Sequence, residues 1–120
     1  MIDRAVTDFS DLLHRNLLGI FNERDEALRL PLLAELYEPD ARFSDHDGVA
    51  VGPDAINEKI RELHARTEGF VFVPGAFHEV QDLATVAWAY GPEGAEPVVH
   101  GTDVVLVHDG RIAALYVYLR

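Results

Sequence analysis

The hydrophobic period of this chain changes once, at Gly69, and that change restricts the folds open to it. Before Gly69 apolar residues recur three and four apart; after it they alternate. A period near 3.6 lines side chains along one stripe of a helix, and a period of two puts them on one face of a sheet. The chain therefore reads as helices first and strands afterwards. No helical stretch separates the later strands, so the crossovers that parallel neighbours need are missing and the sheet is expected to be antiparallel. This order specifies the α+β class: a cone-shaped curved antiparallel sheet packed against three N-terminal helices, with an internal pocket at its mouth.

The first stripe is Val6, Phe9, Leu12, Leu13, Leu17, Ile20 and Phe21; Thr7, Ser10, Asp11, His14 and Arg15 fall off it. Gly19 lies inside the pattern at a cost of about 1 kcal/mol against Ala, which marks close packing. Residues 22–25 read as a break. A second helix is predicted to open at Pro31, a residue suited to the first helical position, and to run through Leu32, Leu33, Leu36 and Tyr37 until Pro39-Asp40 ends it. Residues 41–44 form a short extended piece and Asp45-His46-Asp47-Gly48 a polar turn. Gly52-Pro53-Asp54 opens a third helix with the stripe Ile56, Ile60, Leu63 and Thr67, an exposed Glu62–Arg66 pair, and Gly69 as a left-handed cap. Strands follow over 70–73, 76–80, 84–90, 98–107 and 112–119. Pro74-Gly75 marks a bulge, residues 91–97 a loop, and Asp109-Gly110 a tight hairpin turn.

Composition narrows the function classes. At 120 residues with 48% apolar content, the chain supports a single domain, residues 1–120, with one core. It has no cysteine, which excludes disulfides, thiolate metal sites and cysteine nucleophiles. The net charge of −11 repels phosphate backbones and acidic membranes, so no nucleic-acid partner and no membrane are expected. Of the 10 basic residues only Lys59 is not Arg, a skew that suggests a GC-rich, bacterial source. The N-terminal stretch lacks an apolar signal core and no run of 18 apolar residues exists, so a cytoplasmic location is expected.

Two carboxylates stand out. Asp45 lies where an extended piece meets a turn, and Asp103 lies mid-strand among valines and leucines in GTDVVLVHDGRI. The plain reading of Asp103 is a side chain on the solvent face, because charged groups are rarely buried without partners. The functional reading is a carboxyl group facing a pocket. Trp88, the only tryptophan, is either core packing or an aromatic wall for a flat apolar ligand. His78, after the Pro74-Gly75 kink, is either a pocket acid–base or a surface imidazole. Asp45-His46-Asp47 suggests a metal clip, but adjacent residues of an extended segment point apart, so no metal is expected. No GxSxG motif and no phosphate-binding glycine loop appear.

The segments LYEPDARFSDHDGVAVGPDAI and GTDVVLVHDGRIAALYVYL resemble the nuclear transport factor 2-like superfamily, in particular its SnoaL-like and ketosteroid isomerase-like branches. The resemblance runs from about Phe9 to Leu119. It implies the cone-shaped fold, with Asp45 as general base and Asp103 as hydrogen-bond donor to a substrate oxygen. It also implies that Leu17 and Ile60 occupy the places of two tyrosines of the oxyanion hole, which leaves one donor. No cofactor is implied.

The last hairpin leaves two registers open. A two-residue turn pairs Val107 with Ile112 and places Asp103 opposite Tyr116. A three-residue loop pairs Val107 with Arg111 and places Asp103 opposite Leu115. The resemblance favours the second, which puts Leu115, Val117 and Leu119 in the pocket and Tyr116 and Tyr118 outside. Three functions remain open: proton transfer on a small hydrophobic carbonyl compound by isomerisation, cyclisation or dehydration; non-catalytic binding of a small hydrophobic ligand; and a dimerisation module. Homodimerisation through the outer sheet face, with Tyr116, Tyr118, Val104 and Leu106, is compatible with all three.

Overall fold

The computed structural model describes residues 8–120, so Val6 and Thr7 lie outside the described residues. The Asp8 carboxylate caps the first helix, α1 (Phe9–Arg15), by accepting the Asp11 amide at 3.2 Å. The helix then widens into a π turn over Asn16–Phe21, where the Asn22 amide reaches back to the Leu17 carbonyl. The stripe from Phe9 to Phe21 is buried throughout. Gly19 is the close approach: a Cβ there would lie 2.8 Å from Leu32 Cδ2.

The second helix, α2 (Glu26–Leu36), starts earlier than predicted. The Asp25 side chain accepts the Ala27 amide at 3.0 Å, and this cap fixes the start five residues before Pro31. Pro31 is thus interior and forfeits one backbone hydrogen bond. Tyr37 belongs to strand β1 (Tyr37–Asp45), longer than the predicted piece, since Pro39 biases Glu38 to extended backbone. β1 turns at Asp45–Gly48 into a strand the sequence did not reveal, β2 (Gly48–Val51). Helix α3 (Pro53–Arg66) follows with Pro53 in its first turn. The predicted Glu62–Arg66 ion pair does not form among the described residues; both side chains stand at a cavity mouth instead.

A polar clasp joins α2 to α3. Arg29, only 2% exposed, donates from Nε to Asn57 Oδ1 at 2.7 Å and from a terminal nitrogen to the Glu23 carbonyl at 2.7 Å. Asn57 donates in turn to Glu26 Oε2 at 2.6 Å. Burial lowers the Arg29 pKa, with Glu26 opposing that shift. These bonds satisfy a buried cation that apolar surroundings alone would expel.

Four strands form the antiparallel meander: β3 (Phe70–Val80), β4 (Leu83–Pro92), β5 (Val99–His108) and β6 (Arg111–Leu119). The register shift between Pro74 and Phe77 makes 70–80 one bulged strand. The full order is β2-β1-β6-β5-β4-β3. β1 pairs with β6 in parallel, so the sheet is mixed rather than wholly antiparallel; it is curved and unclosed. Short turns force antiparallel neighbours only among the strands after Gly69. β1 reaches β6 from the helical half, with most of the chain between them.

The last hairpin follows neither predicted register at Asp103. Asp109 and Gly110 have φ of 51° and 79°, the positive values a type I′ turn needs, and Val107 pairs with Ile112. Ala113 is then an extra residue, since Leu106 pairs with Ala114. This bulge shifts the ladder, and Asp103 lies opposite Val117 rather than Tyr116 or Leu115. Leu115, Val117 and Leu119 consequently share the inner face with Asp103, while Tyr116 and Tyr118 are 45% and 55% exposed.

Candidate functional site

The helices and the inner sheet face enclose a cavity of about 260 Å³. One wall is aromatic. Phe72 stacks on Tyr90 with centroids 4.0 Å apart and meets Trp88 edge-on at 5.0 Å; Phe21 stacks against Phe43 at 5.7 Å. Thr67 Oγ1 lies 2.6 Å from the Tyr90 hydroxyl and donates to the Leu63 carbonyl, so that end is tied to α3. The volume is just under the ~300 Å³ at which ligand pockets usually begin, which suits a molecule of one or two rings.

Asp103 stands in this wall, 4% exposed. Trp88 Nε1 donates to its Oδ1 at 2.8 Å. Burial pushes the Asp103 carboxyl up to about 7, against the opposing effect of the Trp88 bond. Buried Tyr37, at the start of β1, donates to Asn16 Oδ1 at 2.7 Å. Burial first, and the Asp103 charge second, hold that phenol well above its ordinary pKa.

Asp45, the last residue of β1, stands at the mouth. Its Oδ2 meets Lys59 Nζ of α3 at 3.1 Å, and its Oδ1 accepts the Asp47 amide at 2.9 Å. Carboxylate oxygens carry two lone pairs each, so accepting capacity remains. His46, Asp47, Glu62 and Arg66 surround the same opening.

The cavity brings together Asp45, Asp103, Leu17, Trp88 and Val117 of the predicted site residues. Ile60 and Leu115 are fully buried in the core behind it and do not line it. His78 does not face it either. Phe77 pairs with buried Val86 and takes the inward position, so His78 opposite Thr85 points outward and is exposed. The ligand atoms of Asp45, His46 and Asp47 nevertheless lie within 4.8 Å of one another, since the chain turns at His46-Asp47 as it leaves β1.

Three contributors went unread in the sequence. Lys59 lies one residue before the buried Ile60 in α3, a spacing that could have aimed it along the cavity edge. Tyr37 stands where the apolar spacing predicts the end of a helix, and it opens β1 instead. Gly101 sits opposite Trp88, where a Cβ would come within 2.6 Å of the indole Cη2. A glycine inside a strand signals such an approach, and that signal was legible.

The structure aligns with a candidate isomerase of the SnoaL-like family from Agrobacterium tumefaciens at a TM-score of 0.84 and 22% identity, over 100% of this chain and 99% of that one. It also aligns with a candidate polyketide cyclase from Sinorhizobium meliloti (TM-score 0.72, 23% identity, 89% and 93% of the two chains). A third match is a hypothetical protein of ketosteroid isomerase-like fold from Catenulispora acidiphila, in complex with trimethylamine (TM-score 0.74, 17% identity, 90% and 84%). At these identities the likeness concerns the fold. No curated protein matches the chain. Among the described residues no helix is long and apolar enough to cross a membrane. The family model of the SnoaL-like domain matches residues 15–115, and the chain belongs to that family, within the nuclear transport factor 2-like superfamily.

Proposed function

We propose that this protein binds a small apolar carbonyl compound in the cavity and moves a proton on it. The observation that carries this reading is one cavity in whose lining two of the carboxyl groups, Asp103 and Asp45, stand in opposite settings. Asp103 is buried in the cavity wall beside Trp88, and Asp45 is paired with an ammonium at the mouth. Such separation of environments lets one acid stay neutral while another serves as base. Asp45 takes a proton from the carbon next to the carbonyl, and the electron pair moves onto the carbonyl oxygen. The neutral Asp103 hydroxyl donates a hydrogen bond to that oxygen. The proton returns at another carbon in an isomerisation; in a cyclisation the new carbon nucleophile attacks a second carbonyl; in a dehydration a neighbouring hydroxyl leaves.

A non-catalytic binding role is the second reading. It is favoured by Leu17, which lines the cavity at the place the superfamily resemblance gives to a tyrosine and can donate nothing. Indanone and tetralone in D₂O separate the two. Proton transfer predicts protein-dependent deuterium uptake beside the carbonyl, abolished by Asp45→Asn. A carrier predicts shifted resonances of Trp88 and Phe72 with no uptake. Neither response would remove carbonyl compounds as the ligand class.

The outer sheet face is proposed to bury itself against a second copy. Tyr116 and Tyr118 project from it, and a helix-covered sheet needs only its inner face apolar. Sedimentation at micromolar concentration is expected to show a dimer; a species of 13.4 kDa, the mass of one chain, would overturn this.

A further inference from the structure

We propose that Trp88 is a positioning residue, seated on Gly101, whose indole N–H holds Oδ1 of Asp103 so that Oδ2 is the oxygen turned to the cavity as proton donor. This rests on the proton-transfer reading above and names the device that would make Asp103 a directed donor.

Three observations carry it. First, Trp88 Nε1 donates to Oδ1 at 2.8 Å within the buried wall. In a neutral carboxylic acid the carbonyl oxygen is the stronger acceptor, so a hydrogen bond to Oδ1 favours the proton on Oδ2. Second, Oδ2 has no partner among the described residues, yet Asn16 Nδ2 is the only buried side-chain polar atom among them that is sealed without one. Oδ2 therefore keeps open surface, and the open space beside Asp103 is the cavity. Third, the indole needs a bare backbone beneath it to reach Asp103. Trp88 pairs with Gly101 across β4 and β5, and a Cβ there would meet three ring carbons, Cη2 at 2.6 Å and Cε2 at 2.9 Å among them. Any side chain at 101 lifts the ring away from the carboxyl group two residues on.

The groups facing Asp103 are few. β1 contributes the Tyr37 hydroxyl and, at the mouth, Asp45; the turn after it contributes His46 and Asp47; α3 contributes Lys59, Glu62 and Arg66 at the rim; β4 contributes Trp88 and Tyr90. β6 contributes apolar Val117 and Leu119, and the π turn apolar Leu17 and Phe21. Among them Trp88 alone bonds Asp103.

The test uses the intact protein without ligand, and the single tryptophan makes its signal unambiguous. The indole N–H proton resonance is followed by NMR across pH beside the Asp103 carboxyl carbon. Both are expected to titrate with one midpoint, near 7. Trp88→Phe is expected to raise the Asp103 midpoint by roughly one to two pH units, the equivalent of losing one hydrogen bond to a charged group. Gly101→Ala should move it the same way with the tryptophan still present. A purely structural indole would leave the midpoint alone. An indole signal that stays flat while the carboxyl titrates, or an unchanged midpoint in Trp88→Phe, overturns the proposal; the wild-type titration decides even if both variants fail to fold. Failure here leaves the D₂O exchange result standing, and failed exchange leaves this titration standing, so the two readings fall separately.

Discussion

Asp103→Asn is expected to abolish a loss of stability that the wild-type protein suffers as pH rises. Burial pushes the Asp103 carboxyl up to about 7 in the fold, against an ordinary value of 3.8. Between these values the folded chain holds a proton that the unfolded chain has released. More protons bound in the native state means that stability falls with increasing pH. The contribution is intact below about pH 4, declines through the window, and is fully lost above about pH 7. The total is on the order of 4 kcal/mol. Asn keeps an oxygen for the Trp88 N–H and an amide donor for the cavity, but cannot ionise. The wild-type stability minus that of the variant should therefore decline by this amount between pH 4 and pH 8, with every other titrating group common to both. Asp103→Leu behaves differently: it removes the charge but orphans the buried indole N–H, costing roughly 1–3 kcal/mol. It should thus be less stable than Asp103→Asn at every pH, and it should lose affinity for a carbonyl ligand that Asp103→Asn retains. Urea unfolding at fixed protomer concentration measures all three proteins. Parallel wild-type and Asp103→Asn profiles would mean that Asp103 titrates as an exposed acid does.

The legible parts of this molecule were those written in periodicity. The stripe from Phe9 to Phe21 and the alternation after Gly69 placed helices, meander and inner face, because burial on one side imposes period on sequence. Asp103 was legible as an anomaly, an acid within an apolar strand. What escaped had no such mark. Ala113 is a bland residue, yet the bulge it makes moves Asp103 from Leu115 or Tyr116 to Val117, and only the ladder reveals it. The parallel β1–β6 pair joins residues far apart in sequence, which no local pattern encodes. His78 was misplaced by the same kind of event, since the Pro74–Phe77 shift decides which residue faces inward. Lys59 shows the limit most clearly. Its spacing within α3 is visible, but its partner Asp45 comes from a different strand, and the pairing exists only once the helix crosses the sheet.

That pairing frames the second large effect. Asp45→Asn is expected to lower the rate of proton transfer by about 10²- to 10⁴-fold, the usual share of a general base. The fold should barely register the change. Asn retains a side-chain oxygen for the Asp47 amide, so the turn keeps its bond. The lost attraction to Lys59 is that of a partly exposed ion pair, worth about 1 kcal/mol or less. A large rate effect with a small stability effect is the signature of chemistry rather than architecture, and deuterium uptake by indanone beside urea unfolding reads both. Lys59→Met supplies the converse. It leaves the carboxylate in place and removes only its cation, so the base persists and uptake should survive. If Asp45→Asn exchanges deuterium as fast as the wild type, the proton leaves by another route and Asp45 is a turn residue.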